Sequence, residues 1–434
     1  MRILIAGAGI AGLTAALSLH AAGLDDIRLV DAAPEIRPLG AGINLLPNAV
    51  RELAALGLDE AVGASAVSTT ELVYFSRHGE VIWREPRGRA AGHRWPQLSV
   101  HRGKLQMVLL AAVEERLGGQ RVRADARVTD FRLLPTGRVQ VNLAHRTGGT
   151  TTTEADALIG ADGIRSGVRR VLYPGEGPPV WQRQVVWRGI AKIPPFADNR
   201  SMFIGGDRTW KVVAYPIAPR PDAAGLVDTN WAVARTFGPD EVVDRAEWDR
   251  VVDPAKLLAA LDGWVFGPLD VASLVTAAKA PFEQAMVDRD PLPRWTFGPV
   301  TLIGDAAHAM CPMGSNGTTQ AIVDARALAA AVAGHPEVDT AFTAYERERL
   351  DRMTLLQNCN RALGPEVVVA MADRASSVTR PGPSASALDR ELAEVSRRYA
   401  ELGGFDVAMA NTDSSYSVRR RPGPGRPTPQ ETGS

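Results

Sequence analysis

The sequence predicts an α/β architecture: a discontinuous Rossmann-like domain, a β-sheet domain inserted within it, and helices at the C-terminal end. Three observations lead to this reading. The chain opens on a strand, a glycine turn, a helix and a second strand, which together make one βαβ unit of about 30 residues. The stretch from 180 to 295 changes texture, with Trp181, Trp187, Trp210, Trp231, Trp248 and Trp264 set among prolines and β-rich segments. A buried-strand pattern then returns at Val300 to Gly304 and gives way to a long Ala-rich helix.

Ile3 to Ala6 is a short apolar run closed by glycines, the pattern of a strand covered on both faces. Leu13 to Ala22 has helical spacing and stops at Gly23, and Ile27 to Val30 is the second buried strand. Pro47 opens a helix over Asn48 to Leu56, because a first helical position needs no N–H. Strands are expected within Val67 to Trp83, and an amphipathic helix from Lys104 to Leu117, closed by Gly118-Gly119. From Arg121 to Asp156 apolar residues alternate on either side of Pro135-Thr136-Gly137, which reads as a meander. Ala157 to Gly160 is buried strand again. Val185 to Ile193, Lys211 to Ile217 and Trp231 to Thr236 are strands of the inserted domain. A helix follows from about Thr318 to Ala333, and helices dominate from Ala341 to about Leu402. The boundaries are then 1–70, 101–179 and 296–340 for the first domain, and 71–100 with 180–295 for the inserted sheet. Residues 341–410 form the C-terminal helices, and 411–434, with the basic run Arg419-Arg420-Arg421, a disordered tail.

At 434 residues the chain has room for two cores. Its 45% hydrophobic and 23% charged residues mark a globular protein. Lys+Arg and Asp+Glu both stand at 49, so no net field draws the chain to nucleic acid or to an anionic membrane, and neither partner is expected. Cys311 and Cys359 are the only cysteines, with no Cys/His cluster, so neither a disulfide framework nor a metal site is expected and a reducing cytoplasm fits. The apolar start is too short for a signal peptide and is needed as a strand. No apolar run reaches the roughly 18 residues of a membrane-spanning helix.

Gly7-Ala8-Gly9-Ile10-Ala11-Gly12 stands between the first strand and its helix. Gly7 permits the tight turn, Gly9 lets a pyrophosphate approach the backbone, and Gly12 lets helix pack on strand. The helix that Ile10 and Ala11 open then turns free N–H groups on the negative charge. Asp31, ending the second strand, is placed to bind ribose hydroxyls, with Ala32 beside it. Gly160-Ala161-Asp162-Gly163-Ile164-Arg165-Ser166 follows another buried strand. Gly304-Asp305-Ala306-Ala307-His308 follows a third and leads into Pro312-Met313-Gly314-Ser315-Asn316-Gly317. Open α/β sheets bind ligands at the C-terminal edges of their strands, so Asp305 is placed to reach a second ribose or ribityl hydroxyl. The Gly-rich loop leaves N–H groups free at a helix start, a counter-field for the anionic N1–C2=O edge of a reduced flavin.

These three motifs, in this order, resemble those of the FAD-dependent aromatic hydroxylases, the class of the para-hydroxybenzoate and salicylate hydroxylases, over about residues 1 to 350. Gly40-Ala41-Gly42-Ile43 is similar to their loop beside the isoalloxazine ring, and Arg102, in Ser99-Val100-His101-Arg102, to an arginine near the flavin phosphates. Glu35 to Gly40, Arg84 to Gly88, Trp187-Arg188-Gly189, Val213 to Pro216 and Met286 to Pro293 resemble the members that hydroxylate phenazine carboxylates, which suggests secondary metabolism. Two residues depart from the class: Asp31 stands where Glu is usual, which shortens the reach to ribose, and Ala32 where a basic residue is common.

The resemblance implies non-covalent FAD, with NADH or NADPH and O2 as co-substrates. For want of a second GxGxxG, the nicotinamide cofactor is expected to bind transiently, with Asp162 and its neighbours assisting. One oxygen atom would pass from a flavin C4a hydroperoxide to a small aromatic, fused-ring or carboxylated. Trp187, Arg188, Tyr215, Pro216 and Met313 would form the substrate pocket, Arg188 being readable also as half of a structural ion pair. No side chain is expected to be catalytic, because the cofactor carries the chemistry. His308 reads as structural, bonded within its own turn, and Cys311 as packing, with nothing basic beside it to favour a thiolate. The other tryptophans read as core. A monomer or homodimer is expected. Two rivals stand beside this reading, a non-hydroxylating flavin oxidoreductase of the same fold and a non-catalytic flavin-binding protein.

Overall fold

The computed structural model describes residues 1–241, 250–278, 281–371 and 385–418. Trp248 and the run Arg419-Arg420-Arg421 lie outside the described residues. Five parallel strands form the centre, in the order Val300–Leu302, Ala157–Gly160, Ile3–Ala6, Ile27–Val30 and Val122–Arg123. Ile3, Ile5, Ile159 and Val300 are wholly buried, as strands covered on both faces must be. The helices Ile10–Ala21, Asn316–Gly334 and Arg102–Leu117 pack together against this sheet. The first strand is central, the second lies on one side of it and Ala157–Gly160 on the other. That reversal opens a crevice at the carboxyl ends of the strands. Gly7, Asp31, Asp162 and Asp305 therefore arrive at one edge although far apart in the chain.

Two small sheets flank the centre. One is the expected meander, Arg127–Leu133, Val139–Ala144 and Thr150–Ala155. In the other, Gly42–Leu45 and Val67–Thr69 each pair antiparallel with Gln97–His101. The register Gly42↔His101 sets the Gly42-Ile43 segment beside Arg102, the first residue of the next helix. His101 Nδ1 accepts the N–H groups of Gly103 and Lys104 and so caps that helix.

The inserted domain is an eight-stranded sheet. Its order is Arg250–Val251, Phe282–Asp288, Val180–Ile193, Val227–Thr236, Trp210–Pro216, Ser201–Gly206, Glu71–Ser76 and Val81–Pro86. Successive side chains alternate between its faces. The outer face packs Phe203, Val212, Trp231 and Val233 onto Leu261, Trp264, Phe266 and Leu274. Trp231 is fully enclosed there, and burying one such side chain contributes on the order of 2–3 kcal/mol. The inner face is turned toward the first domain, where Asn230 Oδ1 accepts the Gly42 N–H at 2.7 Å.

Helix Val338–Arg361 packs on Asn316–Gly334, and helix Ala385–Gly403 packs on Val338–Arg361 in turn. Of the tail expected to be disordered, residues 411–418 are described and lie against the body. Ser414 donates to Glu52 at 2.6 Å, and Arg326 donates to the Tyr416 carbonyl at 2.9 Å. Glu52 and Arg326 are themselves buried, and buried charges require partners, so this segment is held where composition alone suggested none would be. Among the described residues no helix is long and apolar enough to cross a membrane.

Candidate active site

The crevice at the strand ends is lined by Gly7, Gly9, Asp31, Ala32, Arg127 and Asp162, among others. Gly7 has φ +103°, and a Cβ there would lie 2.3 Å from the Ala161 carbonyl oxygen. At Gly12 a Cβ would lie 1.9 Å from the Gly7 carbonyl, so this glycine is required for helix and turn to touch. Gly9 differs: a Cβ there meets nothing within 4 Å and would project into open space. The helix beginning at Ile10 has no side-chain cap and no acidic residue in its first turn. Its N–H groups, those of Ile10 and Ala11 among them, are left for an anion.

Asp31 braces this turn. Its carboxylate accepts the Ala8 N–H at 2.7 Å and the Ala33 N–H at 2.8 Å while lining the crevice. The Asp162 carboxylate is occupied within its own loop, accepting from Ser166 and from the N–H groups of Gly167 and Val168 at 2.7 and 3.3 Å. Burial raises its pKa against those bonds. It thus braces the start of helix Gly167–Leu172, whose N-cap is Ser166, while lining the crevice.

Asp305 has an exposed side yet is ringed by protein, and burial raises its pKa while His308 and Arg102 lower it. Arg102 Nε stands 2.7 Å from where a Gly40 side chain would begin, so Gly40, at φ +117°, admits the guanidinium. Gly304, at φ +56°, closes on Ala11 of the first helix: its Cβ would lie 3.1 Å from the Ala11 Cβ. The His308 side chain does not bond within its turn as expected; only its backbone N–H does, to the Gly304 carbonyl. Its Nε2 meets Asp324 Oδ2 at 2.5 Å, and Asp324 also accepts from Gly304 N–H and Arg349 Nε at 3.0 and 2.8 Å. The reason is topological, since helix Asn316–Gly334 returns directly behind the turn.

The second glycine loop follows the same logic. Gly314 and Ser315 are both left-handed, at φ 62° and 60°. A Cβ on Gly314 would collide with the Tyr399 ring at 2.3 Å. The helix beginning at Asn316 is uncapped and has no acidic residue in its first turn. The Asn316 side chain is turned inward to Tyr399 and Gln320, both at 3.0 Å. Gly317 stands next to Asp305, with 4.0 Å from a built Cβ to Oδ1. Two uncapped helix starts, the Arg102 guanidinium beside Gly40 and the Asp305 carboxylate beside Gly317 thus supply donors and an acceptor of the kind that a flavin dinucleotide needs.

The FAD binding domain family matches residues 1–181 and 268–358. The chain belongs to this family. It is similar to the phenazine 1,6-dicarboxylic acid hydroxylase of Lysobacter antibioticus, 42% identical over 92% of this chain and 96% of that protein. The aurachin C monooxygenase/isomerase of Stigmatella aurantiaca is 31% identical over 81% and 86%. In fold, the chain is similar to Klebsiella pneumoniae HpxO complexed with FAD and uric acid (TM-score 0.73, 24% identity, 93% and 96% covered). A salicylate hydroxylase substrate complex gives TM-score 0.72 at 23% identity, covering 97% and 98%. The fold and the family expected from the three motifs are both borne out.

Beyond the second loop lies a cavity between the inner sheet face and the C-terminal helices. Ala41, Gly42 and Pro312 to Ser315 form one side of it. Arg188, Tyr215 and Met313 line it as expected. Trp187 does not. It sits on the opposite face, stacked on Trp210 at 5.8 Å and donating its indole N–H to Glu283 at 2.7 Å. Pro216, next to Tyr215, is likewise absent from the lining. Period 2 explains both, because neighbours of an inward residue point outward. Residues that the sequence reading missed include Tyr74, Arg87, Asn230, the ion pair Lys211–Glu366, and Tyr399. Alternation along Lys211, Val213 and Tyr215 would have revealed Lys211. Glu366 and Tyr399 come from distant helical segments and carry no local signal.

Proposed function

We propose that the protein hydroxylates a planar, fused-ring aromatic carboxylate in secondary metabolism, acting in the cytoplasm as a monomer or homodimer. It is an FAD-dependent aromatic monooxygenase that uses NAD(P)H and O2. The observation that carries the substrate reading is a shared wall. The Gly42 loop and the Pro312 to Ser315 turn line the same cavity as Arg188, Tyr215 and a floor of aliphatic strand residues. The named activity of the Lysobacter antibioticus relative supports the same choice.

FAD, when bound, supplies the redox chemistry and the activation of oxygen. The chain's own residues bind, orient and exclude water. Gly9 and the starts of the two uncapped helices would hold the pyrophosphate and the ring edge, and Arg102 and Asp305 would stand at the phosphate and ribityl portions. Around the cavity Arg188 and Tyr215 offer donors, and the Glu366 carboxylate is paired with Lys211. Burial pushes the Cys311 thiol up to about 12, with Asp288 adding to the effect, so it stays protonated and unreactive. Burial likewise raises the Tyr215 hydroxyl. Ala232, Val213, Ile204 and Met202 supply the dry surface on which an aromatic plane can rest.

The test is a panel of aromatic compounds given to the FAD-loaded protein while NAD(P)H oxidation is followed. Oxidation is expected to be slow alone and clearly stimulated by fused-ring carboxylates, more than by single-ring ones. A rate indifferent to every aromatic compound would contradict this function.

A further inference from the structure

The strand registers place the cavity's side chains in rows. In one row Arg188 pairs with Ala232, Ala232 with Val213, Val213 with Ile204, and Ile204 with Tyr74. Two polar groups thus bracket three aliphatic side chains across five strands. Four inter-strand steps of about 4.8 Å separate the end Cα atoms by roughly 19 Å. The loops at Gly42 and at Met313 stand over the half of the sheet that carries Arg188, through Gly42–Asn230 and through the packing of Met313 on Val186, Ala234 and Met286. Tyr74 and Arg87 occupy the far half.

Tyr74 is wholly buried, yet its hydroxyl has no hydrogen-bond partner. Arg87 Nε beside it is in the same state, although its Nη2 donates to Glu85 at 2.8 Å. Buried donors are nearly always paired, and leaving one unpaired is destabilising, so an orphaned pair of donors lining a cavity signals an acceptor that arrives with the ligand. Both groups remain donors: burial, reinforced by Glu85, holds the Tyr74 hydroxyl protonated. Lys211, another cation of the cavity, is already tied to Glu366.

We infer that the cavity recognises its substrate at both ends. A planar fused-ring aromatic with two acceptor groups, carboxylates above all, lies on Ala232, Val213 and Ile204, one group at Arg188 and the other at Tyr74 and Arg87. The inference rests on the proposed function and narrows its substrate class, since a single ring with one carboxylate reaches only one end.

The experiment measures equilibrium binding of phenazine-1,6-dicarboxylate, phenazine-1-carboxylate and unsubstituted phenazine to the FAD-loaded parent and to Tyr74→Phe. The parent is expected to prefer the diacid to the monoacid on the order of tenfold or more. Tyr74→Phe should erase most of that preference while binding the monoacid as the parent does. The variant should also melt no lower than the parent, because it removes an unsatisfied buried hydroxyl and keeps the ring. A purely structural tyrosine would give an equal change for both acids together with a loss of stability, and that pattern overturns the inference. So does a parent that binds diacid and monoacid alike, with the proposed function intact. If none of the three compounds binds the parent, the inference falls together with the proposed function.

Discussion

Replacing Gly9 with valine is expected to give a folded but colourless protein. Gly9 adopts φ −76°, ψ −174°, which any residue tolerates, and a Cβ added there meets no protein atom within 4 Å. The fold therefore loses almost nothing. The new side chain instead fills the space before the uncapped helix start, where a pyrophosphate must come within hydrogen-bonding distance of the backbone. Retention of FAD through purification should fall below detection, while circular dichroism and the unfolding transition stay close to the parent's. Gly12→Val is the contrasting control. Its Cβ would lie 1.9 Å from the Gly7 carbonyl, so it should fail by misfolding rather than by losing FAD alone. If Gly9→Val copurified with a full complement of FAD, the turn would not be the phosphate cradle.

Asp324→Asn is expected to be among the most destabilising single changes in the chain. The carboxylate is completely buried and serves Gly304, His308 and Arg349 at once. An asparagine keeps the shape but removes the charge and points an N–H at groups that already donate. Leaving Arg349 uncompensated in the interior costs about 3–5 kcal/mol. Denaturant titration of the two proteins measures this directly, and a loss below about 1 kcal/mol would contradict the assignment. The pH dependence has a defined sign. Burial pushes the Asp324 carboxyl up, but His308 and Arg349 outweigh it and bring it down to about 2. Its folded-state value thus lies below its unfolded one, so its contribution is complete above the ordinary Asp range near 4. It is lost as pH falls toward 2, and the parent should shed more stability across that window than the variant, which keeps the other lowered carboxylates such as Asp26 and Asp198. FAD affinity should fall as well, because Asp324 holds the Gly304 N–H at the start of the Asp305 turn.

The Gly7 to Gly12 turn, Asp31 and Asp305 were legible in the sequence because the constraint there is local. A tight turn, a strand end and a helix start each leave their mark within a few residues. The buried strands Ile3 to Ala6, Ala157 to Gly160 and Val300 to Leu302 were legible for the same reason. The lining of the cavity beyond the second glycine loop was only half legible. Arg188, Tyr215 and Met313 were found, but Trp187 was chosen for its ring, whereas strand alternation turns it to the outer face. Tyr74 and Arg87 escaped notice because their significance lies in bonds they lack, which only the folded arrangement shows. The segment 411–418 misled for a related reason. Its composition is polar, but the buried Glu52 and Arg326 that hold it lie far away in sequence.

The central claim is that an oxygen atom is transferred to an aromatic ring lying against the Gly42 loop and the Pro312 to Ser315 turn. The most direct test supplies the FAD-loaded protein with NAD(P)H, a fused-ring aromatic carboxylate and 18O-labelled oxygen gas, and weighs the product by mass spectrometry. The product should carry one labelled oxygen atom, with label from water absent. A product that gains no oxygen, with all consumed label recovered in hydrogen peroxide, would make the protein a flavin oxidoreductase that does not hydroxylate.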